Sequence, residues 1–177
     1  MTSQILKMIH YSRYKKKIDF SQFEIGNEPI GSGSFGKVYL VTNKEDKEKY
    51  AMKVLKCEKD NLEREIEILE YVNHPTIAKY LDHSYHDYKK HKNITILMEY
   101  AENNSLAFVI KNNPKKLDNT NRQIILVGIA RGMKYLHDRN IIHRDLKPEN
   151  ILLNALLQPI ISDFGLSKFF HVGDSKN

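Results

Sequence analysis

Nine consecutive residues, Ile30, Gly31, Ser32, Gly33, Ser34, Phe35, Gly36, Lys37 and Val38, constrain this chain more than any other stretch. Glycines at this spacing make a turn whose backbone amides can come close to phosphate oxygens, an approach that side chains would block. What flanks the run decides the fold. A dinucleotide-binding unit needs a helix directly after its glycines, whereas Lys37 to Thr42 reads as a strand. The run therefore reads as a turn between two strands, and its context argues against a doubly wound nucleotide fold.

The neighbouring segments extend the same sheet. Phe23 to Ile30, Lys37 to Thr42 and Tyr50 to Leu55 read as three consecutive antiparallel strands, with the polar stretch Asn43 to Lys49 as the charged turn between the last two. Asp60 and Asn61 can cap a helix in which Leu62, Ile66 and Leu69 fall on one stripe, ending near Asn73, His74 and Pro75. Ala78 to Tyr85 and Ile94 to Tyr100 are two more strands joined by a His- and Lys-rich connection, which makes five strands and one helix.

Two ionisable residues sit awkwardly in this pattern. Lys53 lies in the apolar strand Tyr50 to Leu55, where an ammonium either meets negative charge or snorkels to water at an edge. Glu65 shares the helix face of Leu62 and Leu69, where an unpaired carboxylate would also be penalised. An ion pair between Lys53 and Glu65 solves both problems.

After Tyr100 the texture turns helical, first over Leu106 to Lys111 and then from about Asn121 to Asp138. Ile125, Ile129, Met133 and Leu136 share one face of the longer segment. Ile141 to Asn177 reads as loops and short strands. The formal charge of +6 does not point to nucleic acid, because the basic clusters are scattered and the chain has no Trp. The longest apolar run, Ile124 to Ala130, is too short to span a membrane. Cys57 is the only cysteine, so no intrachain disulfide forms and a cytoplasmic location is expected.

The most specific segment is His143, Arg144, Asp145, Leu146, Lys147, Pro148, Glu149 and Asn150, followed by Asp163, Phe164 and Gly165. In this order, after a glycine hairpin and the Ala51-Met52-Lys53 strand, these motifs resemble the eukaryotic protein kinase family, over nearly everything from Phe23 to Phe169. The form of the catalytic motif, with Lys147, is similar to serine/threonine kinases. The resemblance implies an α+β fold of two lobes: a small lobe over 23–100 with a five-stranded antiparallel sheet and one helix, and an incomplete helical large lobe over 101–177. A basic extension precedes them over residues 1–22.

It also implies roles, with ATP and Mg2+ as cofactors. The loop of Ile30, Gly31, Ser32, Gly33, Ser34, Phe35 and Gly36 would cover the phosphates, Lys53 would hold two of them, and Glu65 would orient Lys53. Adenine would lie between Val38 and Ala51 on one side and Leu152 on the other, with backbone hydrogen bonds from Glu99 and Ala101 and with Met98 as gatekeeper. Asn150 and Asp163 would bind the metal, Asp145 would accept or orient the hydroxyl proton, and Lys147 would steady the phosphoryl group. Tyr80, Leu69, Phe164 and His143 would stack as a spine.

Within that resemblance the chain is read as truncated, since Asn177 follows soon after Gly165. Ser167 and Ser175 are the hydroxyls available near Arg144 for regulatory phosphorylation, and a partner covering the face around Ile129 and Met133 is expected. Two functions compete. One is transfer of the ATP γ-phosphate to Ser or Thr hydroxyls of protein substrates; the other is a nucleotide- or partner-binding module with little or no transfer.

Overall fold

The computed structural model describes residues 18–33, 36–56 and 59–170. Residues 1–17 of the basic extension, Ser34, Phe35, Cys57 and Ser175 lie outside the described residues, as do the side chains of Asp60, Asn61 and Leu62. The chain divides into two compact units, one formed by residues up to Cys57 with Leu81–Leu97, the other by Glu58–Tyr80 with the residues from Met98 onward.

The first unit is built on an antiparallel sheet. Its strands are β1 (Phe23–Ile25), β2 (Gly31–Gly33), β3 (Gly36–Asn43), β4 (Lys49–Leu55), β5 (Tyr80–Ser84) and β6 (Thr95–Glu99), in the order β1-β3-β4-β6-β5, with β2 also on β3. The count is six rather than five because the strand expected over Phe23 to Ile30 ends at Ile25, while Gly31–Gly33 of the glycine run, expected as turn, forms the separate strand β2. Ile25 pairs with Val41 and Gly31 with Val38, so residues 26–30 stand opposite only Tyr39 and Leu40 and must bulge out. Pro29 lies in that bulge, where its missing N–H leaves no ladder bond broken.

Alternation along β3 and β4 sorts the side chains. Val41, Met52 and Leu97 are buried together with Ile18, and Tyr39, Tyr50 and Val54 pack on them. The opposite face carries Val38, Leu40, Ala51 and Lys53. The polar connection between β5 and β6 is wound around the buried Asp87, which accepts from the amides of Lys89 and His91 (2.9 Å each) and from Asn93 Nδ2 (2.8 Å).

The second unit contains α1 (Lys59–Tyr71), α2 (Leu106–Asn112) and α3 (Asn119–His137). Ser105 caps α2 by accepting from the Phe108 amide, and Asp118 opens α3 through a capping box with Asn121. The buried face of α3 includes Ile125 and Leu136 as expected, but Ile129 and Met133 are half-buried, and the stripe is completed by Gly128 and Gly132. A Cβ at Gly128 would lie 2.4 Å from Pro159 Cγ, and one at Gly132 would lie 2.5 Å from Thr76 Oγ1. The helix thus needs bare backbone to lie close over Pro159, Ile161 and Thr76.

The segment after α3 contains short strands, as expected: β7 (Ile141–Ile142) pairs with β10 (Lys168–Phe169), and β8 (Ile151–Leu153) pairs with β9 (Pro159–Ile161). These two ladders bracket the loop 143–150. Among the described residues, no helix is long and apolar enough to cross a membrane.

Candidate active site

The sequence-predicted residues fall into two sets, one in each unit. In the first unit the β2–β3 hairpin narrows to the pair Gly33 and Gly36. Gly36 has φ +149°, and a Cβ there would sit 2.2 Å from the Val54 carbonyl oxygen, so the sheet itself demands glycine. Gly31 and Gly33 differ. A Cβ on Gly31 would meet nothing nearer than Val38 Cβ at 3.9 Å, and one on Gly33 would meet nothing within 4 Å. The fold does not require glycine at either position, and both leave backbone open to an approaching group. Ile30, at the mouth of the hairpin, is exposed.

Register then lines up the next residues. Gly31 opposes Val38 and Val38 opposes Lys53, so glycine, valine and lysine form one row across three strands. Ala51 lies two residues from Lys53 and so on the same face. Lys53 is only 7% exposed, which rules out the reading of a lysine snorkelling from an edge.

In the second unit the loop 143–150 is shaped by hydrogen bonds. Asp145 Oδ2 accepts from Lys147 Nζ at 2.8 Å and from Asn150 Nδ2 at 2.9 Å, and Asn150 Nδ2 also donates to the Asp145 carbonyl at 2.8 Å. Two donations by the amide nitrogen orient the buried Asn150 so that Oδ1 remains the free end, a suitable oxygen donor for a hard cation. The Asn150 carbonyl in turn accepts from the Ser162 amide at 2.9 Å and hydroxyl at 3.0 Å, which ties the loop to the residue before Asp163. Sequence reasoning passed over Ser162; the small polar residue directly before Asp163-Phe164-Gly165 was the available signal.

His143 is the hub beneath. Its Nε2 donates to the Ser162 carbonyl at 3.0 Å while Nδ1 accepts from the Asp145 amide at 3.4 Å, a pattern that requires the neutral tautomer. Burial pushes its pKa below the ordinary 6.5, against the opposing pull of the Ser162 bond and of Asp163 and Asp145. Its ring meets Phe164 edge-on at 5.0 Å. Leu69 is buried and Tyr80 half-buried in the same unit.

Charge in the loop is balanced locally. The hydrogen bond from Lys147, followed by that from Asn150, holds the Asp145 carboxyl below its usual range, and the same contact raises Lys147. Asp145 is therefore ionised at neutral pH and is a weak base. Arg144 and Asp163 adopt left-handed backbone, with φ of 64° and 63°. Such conformations cost about 1–3 kcal/mol for residues other than glycine and gather at functional sites.

The remaining predicted residues are spread along β6 and β8. Met98 is half-buried, and exposed Glu99 pairs with Lys79 at 2.8 Å and spends its amide on the Lys79 carbonyl. Ala101 is buried, and among the described residues its amide has no backbone partner. Leu152 in β8 is half-buried. Glu65 on α1 is 3% exposed. Ser167 is corrected as a site of modification: it is 1% exposed and its hydroxyl donates to the His143 carbonyl at 3.1 Å. Arg144 Nε donates to the Leu166 carbonyl at 2.5 Å.

Comparison with known proteins gives a consistent answer. A family model described as protein kinase domain matches residues 25–177. Aurora kinase C of Mus musculus is 36% identical over 160 residues, covering 86% of this chain and 56% of that protein. Aurora kinase of Saccharomyces cerevisiae is 36% identical over 171 residues, covering 91% and 45%. Aurora kinase B of Xenopus tropicalis is 35% identical over 160 residues, covering 86% and 43%. The chain thus spans about half the length of these curated relatives, and with a family model matched from residue 25 onward it belongs to the protein kinase family, of the eukaryotic serine/threonine type.

Proposed function

We propose that this chain transfers the γ-phosphate of ATP to serine or threonine hydroxyls of proteins. The observation that carries this reading is the Asp145–Lys147–Asn150 network, tied through Ser162 to Asp163. It supplies what phosphoryl transfer needs: an ionised carboxylate to orient a hydroxyl, a cation beside it, and two oxygen donors for a metal.

The residues fit both cofactors. Open backbone at Gly31 and Gly33, the free Ala101 amide and the buried ammonium of Lys53 suit a nucleotide. Asn150 Oδ1 and the Asp163 carboxylate suit Mg2+, which is usually held by one or two protein oxygens and completed by phosphate oxygens. When bound, the metal offsets the charge of the phosphates.

In this reading Lys53 neutralises phosphate oxygens and Glu65 orients Lys53, while Val38, Ala51 and Leu152 pack on the base. Glu99 and Ala101 supply backbone hydrogen bonds to it, beside Met98. Ser32, Ser34 and Phe35 belong to the covering loop. Asp145, held ionised by Lys147, acts mainly by aiming the acceptor hydroxyl, because a weakened base contributes orientation more than proton affinity.

An exposed apolar face on α3 favours a second reading, a binding module that transfers little. Ile124, Leu126 and Val127 are exposed, and Ile124 and Val127 line a groove of about 390 Å³ with Pro75, Gly128, Arg131 and Pro159. Purified protein with labelled ATP, Mg2+ and a generic basic protein separates the two. Transfer is expected, and Asp163→Ala is expected to abolish it; nucleotide binding without incorporation selects the module, and unchanged turnover in the variant rejects the assignment.

A further inference from the structure

The C-terminal end of α1 is moored three times within the second unit, each time through a tyrosine. The Tyr135 hydroxyl accepts from the Asn73 amide at 2.9 Å, and the Tyr135 ring is itself held between His74, at 4.8 Å, and the Arg139 guanidinium, at 3.6 Å. The Tyr71 ring meets Phe169 of β10 edge-on at 5.8 Å. The Tyr80 hydroxyl, at the start of β5, donates to Glu70 Oε1 at 3.1 Å.

These contacts restrain different motions. The first holds the end of the helix in place. The second and third grip side chains, Tyr71 and Glu70, that project from the helix axis, and so both resist rotation about that axis. Glu70 is also the wrong charge for its position: it lies in the last turn, where the helix dipole favours cations, and that turn has no basic residue to offset it. Helix formation alone does not explain an acid there, whereas accepting from a half-buried hydroxyl does.

Rotation matters because Glu65 lies on the same rigid cylinder. Its carboxylate is about 5–6 Å from the axis, so a turn of roughly 10° displaces it by about 1 Å. Misplacement on that scale reduces rate by as much as about 10²-fold when the group is essential to the reacting geometry. We propose that Tyr80 and Glu70 form a positioning pair, in which the hydroxyl sets the rotation of α1 and thereby the direction of the Glu65 carboxylate. The inference rests on the reading that Glu65 orients the nucleotide lysine. Packing at position 80 needs only an aromatic ring; positioning needs the oxygen.

The test compares Tyr80→Phe, Glu70→Ala and Glu70→Gln in steady-state transfer, together with the 13C shift of the Glu65 carboxylate in nucleotide-free protein. Tyr80→Phe and Glu70→Ala are expected to lower kcat by roughly 3- to 10-fold with KM for the acceptor protein unmoved. Glu70→Gln keeps the accepting oxygen and is expected to behave as the unsubstituted protein. The double variant should lose less than the two single losses combined, because both remove the same shared contact. A Tyr80→Phe protein with unchanged kcat, or a Glu70→Gln protein as slow as Glu70→Ala, overturns the pair. If the unsubstituted protein transfers nothing, the functional reading fails and the carboxylate shift decides the positioning claim. A shift moved by Tyr80→Phe and not by Glu70→Gln upholds it; a shift unmoved by either overturns it.

Discussion

Val38 and Lys53 reach the same face of the sheet because β3 and β4 pair in register, whereas Asp145, Lys147 and Asn150 are gathered by side-chain hydrogen bonds on a loop bracketed by two short ladders. In the first case backbone periodicity places the chemistry, and a side chain can be changed without moving its neighbours. In the second the side chains are themselves the scaffold. The contrast says where function and stability separate: they separate cleanly in the sheet and are entangled in the loop.

The loop offers the sharpest attempt to break that contrast. Replacing Asp145 by Asn keeps size and hydrogen-bonding capacity while removing the charge that pairs with Lys147. Transfer to an acceptor protein is expected to fall by about 10²- to 10⁴-fold, with the melting temperature lowered alongside as the Lys147 pair is lost. Initial rates and a thermal melt measured together check this. A melt unchanged while the rate falls would mean that chemistry and scaffold can be parted there after all.

The sheet supplies the next largest effect. Gly36→Ala forces a Cβ toward the Val54 carbonyl oxygen at a backbone angle that L residues rarely adopt, and is expected to destabilise by about 2–4 kcal/mol. Gly33→Ala enters open space and is expected to change stability by less than about 0.5 kcal/mol while weakening ATP binding. Urea denaturation alongside nucleotide titration distinguishes the two. Similar stability losses at both positions would show that the hairpin is a structural turn alone.

The smallest expected effect is in the pH dependence of stability. His143 is held neutral, with a folded pKa below the unfolded 6.5. On acidification the unfolded chain therefore takes up its proton first, so stability rises with pH across the window between the two pKa values. The histidine's contribution is complete above 6.5 and is lost as pH falls through the folded value. His143→Phe is expected to flatten this slope in urea melts between roughly pH 7 and 5. It should not erase it, because His74 is also depressed, by burial first and then by Arg139 and Arg131. An unaltered slope would remove His143 as the buried neutral hub.

How much was legible in the sequence follows the same division. The three antiparallel strands around the glycine hairpin and the helix carrying Glu65 follow from periods of two and 3.6 residues, whereas the row joining Gly31, Val38 and Lys53 is set by strand register, which periodicity does not fix. The break at residues 26–30 was missed because alternation alone does not register a bulge. The loop was legible only through its resemblance to a family, since no periodicity predicts left-handed backbone at Arg144 and Asp163 or an Asn that donates twice to one aspartate. Gly128 and Gly132 were passed over because hydrophobic patterning counts side chains, and there the contact is made by their absence. The burial of Ser167 was equally hidden, being set by a partner 24 residues earlier in the chain.

Gly33 and Gly36, three positions apart on one hairpin, meet different requirements: the sheet demands the second, and on the proposed reading the nucleotide demands the first. In a lineage that had abandoned ATP, Gly33 would drift toward larger residues at little penalty, while Gly36 would persist for as long as the sheet folds at all. An unvarying glycine at 36 would therefore be silent about activity, and the first sign of a decayed enzyme would be written at its neighbour.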